Sequence, residues 1–380
     1  MDPSRRRFLA VAGASASLAL WPRLPSFAGA LRGNDDVRFI VVLLRGGLDA
    51  LHALPPVDDP DYARLRRDLA VTDALKLGGG FGLHPSLAFA SQLYASKQFL
   101  PVVAIAPPYR GRSHFEAQDN VESGGDASAH LQTGWLSRTS AAMAGAEALA
   151  VASVAPLSAR GPGHVRTWSP PFADDVDPMM LQRLQGLYAS DRDLAPSFAD
   201  AMQRSGDMGS SGALRLPQAM QAAATFMRAN DGPRVAFVED TGWDSHGGQA
   251  YQLKRKLGEL DAGLRAFHDA AQSIWPKTVV AIVTEFGRTA AANGTDGTDH
   301  GTGGVAFLAG GAVRGGRIAG DWPGLSPSAL FEGRDLHATT DLRAVFKGVL
   351  ADHMGLDRGA IDRQVFPDSV GARPMTGLIA

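Results

Sequence analysis

Cysteine is missing from all 380 residues. Its absence excludes disulfides, thiolate metal sites and a cysteine nucleophile, so any metal must be held by His, Asp and Glu. A field of one sign is missing as well: 37 Lys and Arg stand against 39 Asp and Glu, a formal net charge of −2. With no basic patch and no long charge run, the chain has nothing to recruit nucleic acid. The N-terminal apolar run, Phe8 to Leu20, is about 13 residues, short of the roughly 20 that span a bilayer as a helix. No repeat or low-complexity tract interrupts a chain rich in turn formers, 44 Gly and 23 Pro.

What is present begins at the N-terminus. Ser4-Arg5-Arg6-Arg7-Phe8-Leu9 is a paired-arginine signature followed by the apolar run, then by the small residues Ala28-Gly29-Ala30. Charged, apolar, then cleavable is the layout of an export signal. Gly and Ser dilute the apolar part, as in a twin-arginine leader, a route that carries folded proteins. The expectation is a signal peptide over residues 1–30, engagement by the twin-arginine translocase, and a periplasmic or secreted domain over 31–380. No stable membrane span would remain after cleavage. That domain keeps 33 basic and 38 acidic residues.

Beyond the leader, apolar β-branched runs alternate with helical patterns. Phe39 to Leu44 and Val279 to Val283 read as central, neighbouring, buried strands. Phe99 to Ala106, Val151 to Val154, Val235 to Val238 and Val305 to Ala309 read as further strands. Leu87 to Ser96 reads as a helix. Leu253, Leu257, Leu260, Leu264 and Phe267 recur at three- and four-residue spacing and mark another. A closing helix over Leu342 to Met354 is capped by Thr340 or Asp341. From about 172 to 230 the pattern is helical and polar, which predicts an insertion. Alternating strands and helices predict an α/β protein, a three-layer α/β/α sandwich with a largely parallel central sheet.

In open α/β sheets functional groups gather past the carboxyl ends of strands. Those positions hold Arg45-Gly46-Gly47-Leu48-Asp49, Arg112-Ser113-His114-Phe115-Glu116, Asp240-Thr241-Gly242-Trp243-Asp244-Ser245-His246, Thr284-Glu285-Phe286-Gly287-Arg288, and Thr298-Asp299-His300-Gly301. Carboxylates and imidazoles without thiolate suit Zn, Mn, Fe or Mg. Singly each has a plain alternative: Asp49 as a helix cap, Glu285 paired with Arg288, His114 as a loop residue. Their recurrence at five strand ends favours one shared pocket.

These motifs, with the leader and the terminal Thr339-Thr340-Asp341-Leu342-Arg343, resemble the DUF1501 family, exported proteins placed with the alkaline phosphatase and sulfatase superfamily. The resemblance implies an alkaline-phosphatase-like fold. It puts a first-strand metal carboxylate on Asp49 and a nucleophile on Ser113 beside Arg112. Asp244 and His246 become ligands at a shorter spacing than the superfamily's pair. Its later Asp-His pair becomes Glu285-Phe286, which keeps one oxygen ligand and loses the imidazole, and its final histidine falls on His300. The cofactor implied is a divalent metal, with Zn, Mn, Mg and Ca not distinguished. The substrate implied is an anionic ester, phosphate or sulfate, whose charge Arg112, Arg45 or Arg288 would offset. A formylglycine sulfatase is disfavoured, because there is no cysteine and no Ser-x-Pro-x-Arg around Ser113. The expectation is a metal-dependent hydrolase with a serine nucleophile; the alternative is a non-catalytic exported binding or assembly protein with a degenerate metal site.

Overall fold

The first apolar run forms β1 (Arg38–Leu44), buried at every position. The structure, a computed structural model, describes residues 36–126, 130–152, 154–169, 195 and 215–380. β2 (Leu75–Gly78) and β3 (Phe81–Leu83) make a separate antiparallel pair. The other strands are β4 (Phe99–Ala106), β5 (Ala148–Val151), β6 (Val165–Trp168), β7 (Val235–Asp240), β8 (Thr278–Thr284), β9 (Gly304–Ala309) and β10 (Thr340–Asp341). Together with β1 they form one eight-stranded sheet, in the order β10-β4-β9-β8-β1-β7-β5-β6. β1 runs parallel to both β7 and β8, so the two most apolar runs are neighbours in the middle of the sheet. Only β9 runs against its neighbours β4 and β8.

Eight helices position the site: α1 (Ala50–Ala53), α2 (Tyr62–Arg66), α3 (Ala88–Ala95), α4 (His114–Ser123), α5 (Trp135–Ala142), α6 (Leu216–Met227), α7 (Gln249–Ala270) and α8 (Leu342–Asp352). Alternate residues of β1 feed two separate cores, as period-two side chains must. Ile40, Val42 and Leu44 pack with Leu51 of α1, Leu93 of α3, Met220 of α6 and Leu257 of α7. Phe39, Val41 and Leu43 pack with Leu136 of α5 and Phe346 of α8 on the other face. Fully burying each such side chain is worth about 1.5–3 kcal/mol. The sandwich therefore has three layers, with a largely parallel sheet between two helical ones.

Three details differ from the sequence reading or refine it. The strand expected over 151–154 is β5, three residues earlier, because Ala148–Val151 is the segment paired between β6 and β7. Asp341, not Thr340, caps α8, its carboxylate accepting from the Arg343 backbone N–H at 2.8 Å. Most of the insertion expected over 172–230 lies outside the described residues, and its last part is α6. The leader expected over 1–30 also lies outside them. Among the described residues no helix is long and apolar enough to cross a membrane.

Candidate metal centre

Four strand ends and one strand start meet at one edge of the sheet. β1, β4, β7 and β8 deliver the loops that carry Gly46, His114, Asp244 and Glu285. His300 reaches the same edge differently: it precedes β9, whose reversed direction puts its beginning beside the ends of the others. Glycines let these loops touch. A Cβ on Gly46, which adopts φ 124°, would lie 2.4 Å from the backbone nitrogen of Asp244. One on Gly301 would lie 2.4 Å from the Arg288 backbone, so the His300 turn can close on the β8 loop only with glycine there.

His114, His246, His300 and Asp244 come together, and of these His114, His300 and Asp244 have ligand atoms all within 4.8 Å of one another. His300 Nε2 lies 3.0 Å from His114 Nε2 and 2.9 Å from His246 Nε2. Asp244 completes the group, its Oδ1 3.0 Å from His246 Nε2 and 3.4 Å from His300 Nε2, and its Oδ2 3.5 Å from His114 Nε2. Donors bonded to one tetrahedral ion at about 2.0–2.1 Å stand about 3.3 Å apart, close to this spacing.

Each imidazole is held from behind by an oxygen. His114 Nδ1 meets Glu285 Oε1 at 2.8 Å, His300 Nδ1 meets the Arg112 carbonyl at 3.1 Å, and His246 Nδ1 meets Asp299 Oδ1 at 3.3 Å. Oxygen acceptors assign the ring proton to Nδ1 in all three, and this leaves the Nε2 lone pairs of His114 and His246 each against that of His300. Lone pairs at that separation repel. A proton can bridge one of the two N···N contacts; a metal cation among His114, His300 and Asp244 satisfies those three donors, with His246 beside them. Nδ1–H bonds to carboxylate or carbonyl are also how metal-binding histidines are usually oriented.

Electrostatics sharpen the picture. The hydrogen bond to Glu285 raises the pKa of His114, against the opposing effect of burial. Burial and the neighbouring His114 and Arg288 lower that of His300. Burial works against ionisation of Asp244, yet the hydrogen bond and charge of Arg288, at 2.6 Å, hold its carboxyl below the ordinary range. The Asp244 and His246 side chains keep 41% and 47% of their exposure, so the cluster opens to solvent on that side. Phe286 closes the other side, its ring centre 4.7 Å from that of His114 and 5.2 Å from that of His300.

Asp244, His246 and His300 are thus brought together, and His114, to which the sequence assigns no ligand role, joins them as a donor. Two residues expected as ligands stand elsewhere. Glu285 is fully buried behind His114, where it also accepts from Gly46 N at 2.7 Å and Gln118 Nε2 at 3.0 Å. Asp49 lies outside the cluster. Its carboxylate is taken by both terminal nitrogens of buried Arg66, by Gln249 Nε2 at 2.6 Å, and by the backbone N–H of His52, which makes it the cap of α1.

The arginines expected to face an anion are committed too. Arg112 binds Glu332 and Asp335, Arg45 binds Glu122 and Glu239, and Arg288 binds Asp244 and Thr298. What Arg112 gives the cluster is its backbone: it sits in the left-handed region at φ 61°, and its carbonyl holds His300. Ser113 is the half-buried N-cap residue of α4, with its hydroxyl bonded to no N–H of that helix.

Residues 107–365 match the family model DUF1501, described as a protein of unknown function. The chain belongs to this family. The matched span holds all four converging donors and leaves out the Asp49 loop. No curated protein matches the sequence. Similar solved structures include the C-terminal periplasmic domain of EcEptC from Escherichia coli in complex with Zn, at 8% identity, 73% of each chain covered and a TM-score of 0.38. A protein in the alkaline phosphatase superfamily from Vibrio parahaemolyticus is 13% identical, over 75% of this chain and 62% of that one, with a TM-score of 0.37. A third, connected with the metabolism of multiple glycosaminoglycans by Bacteroides thetaiotaomicron, is 10% identical over 89% of this chain and 75% of that one, with a TM-score of 0.44.

Proposed function

We propose that this DUF1501 protein is an exported metal-dependent hydrolase of phosphate or sulfate esters. The observation that carries the reading is the convergence of His114, His300 and Asp244, with His246 against the last two and each imidazole fixed from behind by an oxygen. His114, His300 and Asp244 would hold a divalent metal with His246 at its side, and imidazole-rich sets suit zinc first. When bound, such an ion acts as a Lewis acid on an ester oxygen and lowers the pKa of a nearby hydroxyl or water.

The chain supplies the rest. Ser113 stands immediately before the donor His114 with its hydroxyl untied from the helix, so it is the candidate attacking oxygen. The first-turn N–H groups of α4, which lack a side-chain cap, present the positive end of that helix to an anion. Arg334 adds charge at the rim. Its Nη1 binds the His300 carbonyl and Asp335, while the side chain stays 41% exposed with no further partner among the described residues.

Ser113→Ala should lower the turnover of aryl phosphate or sulfate esters by at least about 1000-fold while metal content stays unchanged. Unchanged turnover would remove Ser113 as nucleophile. Wild-type protein carrying stoichiometric metal yet inert on both ester classes would favour the binding-protein alternative, which the internal pairing of Arg45, Arg112 and Arg288 supports. For export, changing Arg5, Arg6 and Arg7 together to Lys should retain the protein in the cytoplasm, because charge is kept and guanidinium pairing lost. Normal recovery of that variant outside the cytoplasm would refute the leader.

A further inference from the structure

A cleft of about 460 Å³ lies along the outer face of α4, within the roughly 300–1,000 Å³ typical of small-molecule sites. Its wall carries two amides, Gln118 and Gln132, three carboxylates, Asp119, Glu122 and Glu239, and two guanidiniums, Arg45 and Arg160. The charges largely offset one another, because Arg45 spans Glu122 at 2.7 Å and Glu239 at 2.6 Å. Three carboxylates against two guanidiniums leave no excess positive charge there to hold an anionic ligand. Gln132 and Asp119, not bonded to other side chains among the described residues, offer an amide and a carboxylate to adjacent hydroxyl groups.

The same face of α4 carries Phe115, three and four residues before Gln118 and Asp119 and therefore beside them on the helix surface. Its side chain is 84% exposed next to the donor His114. An exposed aromatic ring one helical turn from the cleft residues Gln118 and Asp119 suits the C–H face of a sugar ring, apolar body against ring and hydroxyls against Gln132 and Asp119. The cleft is also wired to the metal centre. Arg45 Nη1 donates to Gln118 Oε1 at 2.8 Å, and Gln118 Nε2 donates to the Glu285 oxygen that holds His114.

We propose that this cleft binds the alcohol portion of the substrate, and that this portion is a neutral, hydroxyl-rich group of the carbohydrate type. The assignment of alcohol portion rests on the ester-hydrolase reading; the sugar site can be tested without it. Metal-loaded full-length protein is titrated with free sugars that carry no ester: a glucose trimer, an N-acetylglucosamine trimer and a galactose dimer. Saturation-transfer NMR and calorimetry read binding. At least one sugar should bind, and Phe115→Ala and Gln132→Ala should each weaken it about tenfold with metal content unchanged. Both side chains are exposed, so the fold should survive either change. Absence of binding by all three sugars, or binding that both variants leave intact, overturns the proposal. Sugar binding without hydrolysis of any phosphate or sulfate ester supports the cleft and sinks the hydrolase reading. Aryl-ester hydrolysis without sugar binding does the reverse.

Discussion

His300→Ala should lower the affinity for zinc or manganese by more than about 100-fold, read by competition with a chromophoric chelator. His300 Nε2 is the donor nearest all the others, within 3.0 Å of both imidazoles and 3.4 Å of Asp244. Removing it leaves Asp244 as the one donor of the cluster still beside both His114 and His246. Glu285→Gln should be milder, about 10–100-fold, the usual cost of losing a carboxylate that orients a metal-binding histidine. The graded order is the diagnostic. If Glu285 were itself a ligand, its removal would cost as much as that of His300. Wild-type affinity in His300→Ala would end the metal-centre assignment.

The fold was legible where a run of residues carries its own signal. Phe39 to Leu44 and Val279 to Val283 are buried on both faces, so unbroken hydrophobicity marked them as central neighbours. β5 was harder to bound, because Ala148 and Ala150 are strand residues by pairing rather than by propensity. The direction of β9 is a property of its neighbours and leaves no trace in Gly304–Ala309. At the site, residue types past strand ends pointed to the right loops, and the glycines marked where those loops touch. Roles within the loops were not legible. His114 is a donor because Glu285, 171 positions away, takes its Nδ1 proton, and no local spacing encodes that. The Glu285-Phe286 dipeptide looked like a depleted ligand pair; in three dimensions it is a carboxylate behind one histidine and an aromatic floor under two. Asp49 deceived for the opposite reason: it occupies a loop that touches the site, but Arg66 supplies the cation that neutralises it.

That last pair carries the largest expected effect on stability. Arg66→Met should destabilise the protein by about 3–5 kcal/mol in chemical denaturation, the typical cost of stripping one partner from a buried ion pair. Arg66 is fully buried and Asp49 is 1% exposed, so no water replaces the lost guanidinium. Burial would raise the Asp49 pKa, and the adjacent Arg66 outweighs it, leaving the carboxyl below its ordinary value. Asp49→Asn combined with Arg66→Met should recover much of the loss, because neither charge then remains buried alone. Metal affinity should stay near wild type in both variants, which separates a structural carboxylate from a ligand; metal lost on Asp49→Asn alone would restore Asp49 to the site. The same corner sets the acid limit of the fold. Burial pushes the His52 imidazole down to about 4, so from roughly pH 6.5 downward the unfolded chain takes up a proton that the folded one refuses. Stability should therefore fall by about 3 kcal/mol between pH 6.5 and pH 4, and the depressed Asp49 carboxyl adds a further loss only below its ordinary value near 3.8. In His52→Gln the first part of that slope should shrink by the His52 share, leaving the contribution of His84, His300 and His353, whose imidazoles burial also lowers, while the second persists. A slope unchanged by the substitution would place the acid-sensitive group elsewhere.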